Sequence, residues 1–90
     1  MNEHELITEL KKKWKEVYIW KDKPNELYEE HAHPYYTKII ILEGNIELLI
    51  ENKKYNLGPT DTIIIKKDKI HSAKIGINGC KYVVAEKKKK

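Results

Sequence analysis

The sequence contains no arginine, no glutamine and no phenylalanine, and it has a single cysteine, Cys80. With one cysteine, the chain cannot form an internal disulfide or a zinc site built from several thiolates. This usage favours a reducing compartment, and we expect a cytoplasmic protein. No apolar run approaches the roughly 20 residues of a membrane-spanning helix. The N-terminus is acidic and amphipathic, unlike a signal peptide, so we expect neither secretion nor membrane insertion.

All 18 basic residues are lysines, and the formal net charge is +4. Arginine is the side chain that forks onto guanine edges and phosphates, so its absence removes the usual basis of sequence-specific nucleic-acid recognition. The lysines stand in short runs, at 11–13, 53–54, 66–67 and 87–90. A solvated surface explains these runs more simply than a nucleic-acid interface does. We therefore expect no specific nucleic-acid partner.

The N-terminal segment has the pattern of an amphipathic helix. Asn2 is a helix-capping residue, and Glu5 stands at the capping-box position three residues later. Leu6, Leu10 and Trp14 follow at helical spacing. We predict one helix, from residue 2 to about residue 15.

The rest of the chain has the pattern of short strands separated by turns. Runs rich in isoleucine, valine and tyrosine alternate with DKPN, EGN and GPTD, and the Asn78-Gly79 pair is a strong hairpin signal. The predicted strands are 17–20, 27–33, 35–42, 46–51, 54–57, 63–66, 71–77 and 81–85. This spacing is typical of an antiparallel sandwich or barrel. We assign an N-terminal helix to 1–16, an all-β barrel to 17–86, and a disordered lysine tail to 87–90.

Three histidines form a candidate metal site. His31 and His33 stand one residue apart on a predicted strand, so their imidazoles share a face, with Cα atoms about 6.5 to 7 Å apart. At that spacing both can bind one ion at about 2.0 to 2.2 Å. His71 begins another strand and, like the pair, stands at the polar end of an apolar stripe. The alternative is that each histidine is an ordinary half-buried polar residue, as we expect for His4 in the helix.

Two segments resemble the two motifs of the cupin family. HAHPYYTKIIILEG, residues 31–44, has the family's HxH pair and closing glycine at the family's spacing. GPTDTIIIKKDKIH, residues 58–71, has the second motif's turn, strand and final histidine. The resemblance implies a small antiparallel β-barrel of the double-stranded β-helix or jelly-roll type. It also implies one divalent metal ion, Fe, Mn, Zn, Ni or Cu, held by His31, His33 and His71.

The chain departs from the family at the fourth ligand. The family has a glutamate there, whereas this chain has Thr37, whose hydroxyl is a poor ligand for a divalent ion. Three neutral imidazoles leave the full +2 charge on the ion, and with it a stronger attraction for an anionic ligand. Glu29 shares the strand parity of the histidines and is a further candidate ligand. Tyr35 is a candidate catalytic phenol that could donate a hydrogen bond to a bound oxygen, although lining the barrel is the simpler role. The roles of Tyr82 and Cys80 are similarly open.

Three function classes fit these features. The first is metal-dependent binding or turnover of a small, anionic metabolite; the resemblance allows dioxygenase or isomerase chemistry, because three-histidine cupins include ferrous dioxygenases. The second is a non-catalytic ligand-sensing domain, and the third is a structural homodimer without metal. Isoleucine and leucine on both faces of the strands indicate that the outer face is covered. The outward-facing residues are Ile40, Leu42, Leu49 and Ile64. The N-terminal helix could cover part of this face and a second subunit the rest, so we expect a homodimer.

Overall fold

Two long strands organise the computed structural model, which describes residues 2–89. The elements in chain order are α1 (Glu3–Lys11), β1 (Trp14–Asp22), β2 (Leu27–His31), β3 (Thr37–Ile50), β4 (Lys53–Leu57), β5 (Thr62–Ile65) and β6 (His71–Lys88). β3 and β6 pair antiparallel along nearly their whole lengths, from Thr37 opposite Glu86 to Ile50 opposite His71. All other strands pair with one of these two.

The six strands form one antiparallel sheet in two halves. In the first half, β1 pairs with the C-terminal part of β6, and β5 pairs with the N-terminal part of β3. In the second half, β2 pairs with the N-terminal part of β6, and β4 pairs with the C-terminal part of β3. The main core packs between the halves, with Ile39, Ile41, Ile46, Leu48, Ile65, Ile75, Cys80, Tyr82 and Val84 buried there. The fold is the barrel-like jelly roll that the resemblance implied.

The halves meet at a bend where Gly44 of β3 touches Gly79 of β6. Both glycines have positive φ, 78° and 77°. A Cβ atom on Gly44 would lie 2.0 Å from the carbonyl oxygen of Gly79, so the two backbones approach too closely for any side chain. Glycine supplies both the conformation and the space that this contact requires.

Two hairpins predicted from the sequence are not formed at this bend, because both strands continue through it. Gly44 pairs with Cys80 and Ile46 pairs with Ile75, so Asn45 alone stands opposite residues 76–79. The turn sequences EGN and Asn78-Gly79 therefore lie inside two continuous strands, as an irregular bulge. A glycine with positive φ serves a bulge as well as a hairpin turn, which is why the sequence signal misled.

Helix α1 begins as predicted but ends earlier. The side chain of Asn2 accepts a hydrogen bond from the backbone N–H of Glu5 at 2.8 Å, which confirms the cap. The helix ends at Lys11, not near residue 15, and Trp14 is the first residue of β1. Trp14 is only 4% exposed. Its apolar character fitted the helical spacing, but its burial comes from packing between α1 and the sheet.

Helix α1 covers the outer face of the first half of the sheet. A second core cluster contains Leu10, Trp14, Val83 and Ala85, with Leu6, Ile7, Val17, Ile40 and Leu42 packed against it. The chain itself therefore covers Ile40 and Leu42, two of the residues on which we based a homodimer. Leu49 and Ile64 stay exposed, at 37% and 49%.

The C-terminal lysines differ from the expected disordered tail. Lys87 and Lys88 lie in β6, and the backbone N–H of Lys89 donates to the carbonyl of Lys13 at 2.7 Å. Pairing with β1 extends this strand, since Trp14 stands opposite Lys88. Lys90 lies outside the described residues. No helix in the described part of the chain has the length and apolar character to cross a membrane.

The contact between the two glycines predicts a large effect of one methyl group. Gly44→Ala should lower the free energy of unfolding by more than about 2 kcal/mol, because it adds backbone strain and a clash with the Gly79 carbonyl. Urea unfolding measures this change. Gly58→Ala is the control: its new Cβ would meet only a side-chain atom of Asn45, at 3.1 Å, and we expect a loss below about 1 kcal/mol. Equal effects of the two variants would contradict the assigned role of Gly44.

Candidate metal centre

Three segments bring the predicted histidines together at one end of the main core. His31 ends β2 and stands directly opposite His71, the first residue of β6. His33 lies in the loop after β2, where its carbonyl accepts a hydrogen bond from the N–H of Asp68 at 2.7 Å. One potential ligand atom from each histidine lies within 4.8 Å of the others. The ring centroids are 4.2 to 5.2 Å apart.

Backbone carbonyls fix the orientation of two of the rings. Nδ1 of His31 lies 2.7 Å from the carbonyl oxygen of Glu29, and Nδ1 of His71 lies 2.9 Å from that of Lys69. A carbonyl only accepts hydrogen bonds, so in both rings Nδ1 carries the proton and donates it. Nε2 then keeps its lone pair. Metal-binding histidines are typically oriented by such a hydrogen bond from the second ring nitrogen.

The surroundings also favour the neutral form of His33 and His71. Burial lowers the pKa of His33, and nearby His31 lowers it further, against an opposing effect of the Glu86 carboxylate. Burial likewise lowers the pKa of His71, against an opposing effect of the Lys69 carbonyl. Metal binding requires neutral imidazoles. The donor chemistry of this group, three imidazoles with potential ligand atoms within 4.8 Å of one another, therefore fits a divalent ion.

The three rings open onto a cavity of about 300 Å³ between the halves of the sheet. Its walls are mainly apolar, with a few polar groups, as is typical of small-molecule sites. Besides the histidines, the lining residues are Tyr18, Trp20, Tyr28, Thr37, Ile39, Ile46, Leu48, Ile65, Ala73, Tyr82, Val84 and Glu86.

Two buried polar atoms at this site have no hydrogen-bond partner among the described residues. They are Oγ1 of Thr37 and Nδ1 of His33. Leaving a buried polar atom unpaired costs about 1 to 3 kcal/mol, and folded proteins rarely do so without water or a ligand. The site therefore has unused hydrogen-bonding capacity.

Glu29 and Tyr35, which were also proposed from the sequence, lie outside the cavity lining. A register shift between Tyr28 and His31 breaks the strand parity, so Tyr28 lines the cavity and Glu29 does not. Glu29 contributes through its carbonyl, which orients His31. Tyr35 stacks on His33 with ring centroids 5.0 Å apart and an angle of 14° between the planes.

Sequence reasoning missed a carboxylate that lines the same cavity. Glu86 is 8% exposed and stands opposite Thr37 in the β3–β6 pairing. Its Oε1 accepts a hydrogen bond from the hydroxyl of Tyr18 at 2.9 Å. The last predicted strand stopped one residue short of Glu86. Extending its alternation by one position would have placed this side chain inside the barrel.

A second buried carboxylate lies beside the bend. Asp22 accepts hydrogen bonds from Nε1 of Trp20 at 2.9 Å and from the hydroxyls of Tyr28 and Tyr82 at 2.5 Å. Burial and then the Asp22 carboxylate raise the pKa of Tyr82. All three hydrogen bonds join groups within the chain, so this cluster holds the cavity wall together, with Tyr82 as a lining residue.

Residues 13–84 match the family model described as the AraC-like ligand-binding domain. The chain belongs to the AraC-like ligand-binding domain family. As a member of this family with a jelly-roll sheet, it is a small cupin protein, as the sequence resemblance indicated. A search of the curated proteins found no sequence match.

Several solved structures, one of them a named cupin, share the fold of this family member. A cupin superfamily protein from Desulfitobacterium hafniense is similar with a TM-score of 0.70 and 21% identity, over 79% of this chain and 65% of that one. The DMSP lyase DddQ from Ruegeria pomeroyi is similar with a TM-score of 0.73 and 24% identity, over 79% of this chain and 36% of the lyase. An oxalate decarboxylase from Bacillus subtilis is similar with a TM-score of 0.73 and 17% identity, over 80% of this chain and 20% of the decarboxylase. The chain thus spans less than two thirds of the length of each of these proteins.

The structure predicts an unreactive thiol at Cys80. Its side chain is 3% exposed, and burial raises its pKa to about 11. At pH 8 only about one thiol in a thousand is then a thiolate, the reactive form. Reaction with a chromogenic disulfide reagent should be slow in the native protein and complete in urea. Rapid, full labelling of the native protein would contradict this burial.

Proposed function

We propose that this cupin domain binds one divalent metal ion through His31, His33 and His71 and holds a small metabolite in the adjoining cavity. The observation that carries the proposal is the convergence of three imidazoles, two of them with Nδ1 committed to a carbonyl. Such a donor set suits Zn, Fe, Mn, Ni or Cu. Three protein ligands leave coordination positions open for water or a ligand.

The residues around the centre have separate roles in this proposal. A ligand oxygen occupies an open position of the ion, and the hydroxyl of Thr37 supplies a hydrogen bond to the same ligand. The apolar wall of Ile39, Ile46 and Leu48 excludes water from the rest of the ligand. When bound, the ion would polarise that ligand or activate oxygen or water. Isomerase or dioxygenase chemistry is then open to the site.

The second candidate function is ligand sensing without chemistry. It is supported by the family match, since that family is described as a ligand-binding domain. The DMSP lyase and the oxalate decarboxylase share the fold, and a fold hosts many functions, so their activities favour catalysis only by analogy. Tyr35, the candidate catalytic phenol, stacks on His33 and lies outside the cavity lining, so it would influence the site through the orientation of that ring. A catalytic site would consume its ligand, whereas a sensor would return it unchanged.

Metal analysis tests the first proposal. Untagged wild-type protein, dialysed after addition of Fe²⁺, Mn²⁺, Zn²⁺, Ni²⁺ or Cu²⁺ in turn, should retain about one ion per chain for at least one metal. A variant with His31, His33 and His71 all replaced by Ala should retain none, because it loses every nitrogen ligand. Inductively coupled plasma mass spectrometry gives both numbers.

His4→Ala is the matched control, since it removes an imidazole from helix α1 and leaves the site intact. It should bind as much metal as the wild type. Wild-type protein that binds none of the five ions would contradict the proposal, as would a triple variant that still binds one ion per chain.

The homodimer stays a prediction, now with a narrower surface. Ile64 lies on β5, which pairs with β3 alone among the described strands, and its side chain is 49% exposed. Sedimentation equilibrium should give twice the mass of one chain for the wild type and the mass of one chain for Ile64→Lys. Ile77→Lys, at a 77% exposed position in the bulge, is the control and should stay dimeric. A monomeric wild type would refute the prediction.

A further inference from the structure

We infer that Glu86 on β6 supplies the carboxylate of the metal centre. The glutamate of the cupin motif would stand at position 37, on the neighbouring strand β3. The inference rests on the proposed metal binding and concerns how the centre compensates for Thr37. Glu86 lies beyond residues 13–84, which match the family model.

The pairing of β3 and β6 gives the first support. Thr37 and Glu86 are direct cross-strand partners in the antiparallel ladder. Side chains of such partners point to the same face of the sheet, with Cβ atoms about 4.5 to 5.5 Å apart. Both residues also line the cavity onto which the histidines open. A carboxylate at position 86 is therefore directed into the same space as one at position 37.

Burial and hydrogen bonding give the second support. Glu86 is one of the few buried charged residues, and a buried carboxylate is costly unless it is paired with donors or a cation. Within the described part of the chain, its Oε1 is held by the hydroxyl of Tyr18. That bond fixes the direction of the carboxylate, and the hydroxyl of Tyr35 is a further donor beside it. A carboxylate has about four acceptor positions, so it can also accept from a water on the ion. A buried acid beside three imidazoles is well placed to meet the charge of a metal ion.

The carboxylate acts through a bound water or ligand. The group of ligand atoms within 4.8 Å of one another contains the three histidines and does not include Glu86. A water on the ion would donate one hydrogen bond to Oε2 of Glu86 and could donate another to the unpartnered Oγ1 of Thr37. The negative charge of Glu86 would also offset part of the +2 charge of the ion. The preference for anionic ligands expected from Thr37 alone is then weaker.

The test compares Zn²⁺ affinities of metal-free proteins, measured by competition with a chromophoric chelator. Loss of an outer carboxylate partner typically weakens metal binding by 10- to 100-fold. Glu86→Gln keeps the shape and the hydrogen bond from Tyr18 but removes the charge, and we expect its Kd to rise about tenfold. Glu16→Gln is the matched control. Glu16 lies opposite Glu86 on β1, but it is exposed and paired with Lys87 at 3.1 Å, so we expect a change below about twofold.

A swapped variant keeps the test decisive if Glu86→Gln does not fold. Thr37→Glu combined with Glu86→Gln moves the carboxylate to the family's position, and its Kd for Zn²⁺ should lie within about threefold of the wild type. Overlapping Kd values for wild type, Glu86→Gln and Glu16→Gln would overturn the inference, as would a folded swap variant that binds tenfold more weakly. If the wild type retains another of the five ions but not Zn²⁺, the same comparison is made with that ion. A wild type that binds none of the five counts against the proposed metal site itself, and this is seen before any variant is made.

Discussion

The bent pairing of β3 with β6 is the constraint on which the rest of the structure depends. One end of this ladder carries Thr37 opposite Glu86, and the other end carries His71. In a straight pair these ends would lie far apart. Because both strands bend at Gly44 and Gly79, the two ends reach the same cavity. Because glycine has no side chain, the strands can approach and bend at Gly44 and Gly79, and this bend determines which polar groups face one another.

Some polar groups inside the barrel hydrogen-bond to one another and stabilise the fold, and others are free to contact a ligand. Near the bend, Asp22 uses hydrogen bonds from Trp20, Tyr28 and Tyr82, which satisfy a buried charge within the chain. At the open end, Thr37 Oγ1 is buried without a partner among the described residues. A satisfied network rigidifies a core, whereas an unsatisfied one points to a missing water, ion or ligand. This contrast supports placing the function at the histidine end.

The sequence was most informative where a pattern had one physical meaning. The HxH pair predicted neighbouring imidazoles because the alternation of a strand is local, and the resemblance to the cupin motifs added His71. The cap at Asn2 is equally local. The jelly roll was implied by the resemblance to the cupin motifs, and the family match and the cupin neighbour support that assignment.

The failures occurred where one local signal serves two structures. Glycine with positive φ occurs both in hairpin turns and in bulges. Here β3 and β6 pair on both sides of the glycines, so they form a bulge. Trp14 suited a helix face as well as a strand, and burial between α1 and the sheet decided for the strand. Glu86 became visible only through its partner on β3, far away in the sequence, and Glu29 lost its predicted position through a register shift.

X-ray absorption spectroscopy of the metal-loaded protein tests the central claim most directly. The account predicts three imidazole nitrogens at about 2.0 to 2.2 Å from the ion, recognisable by the multiple scattering of their rings, with the other positions filled by lighter oxygen scatterers. A shell of oxygen ligands alone, or a spectrum unchanged when His31, His33 and His71 are replaced by Ala, would contradict it.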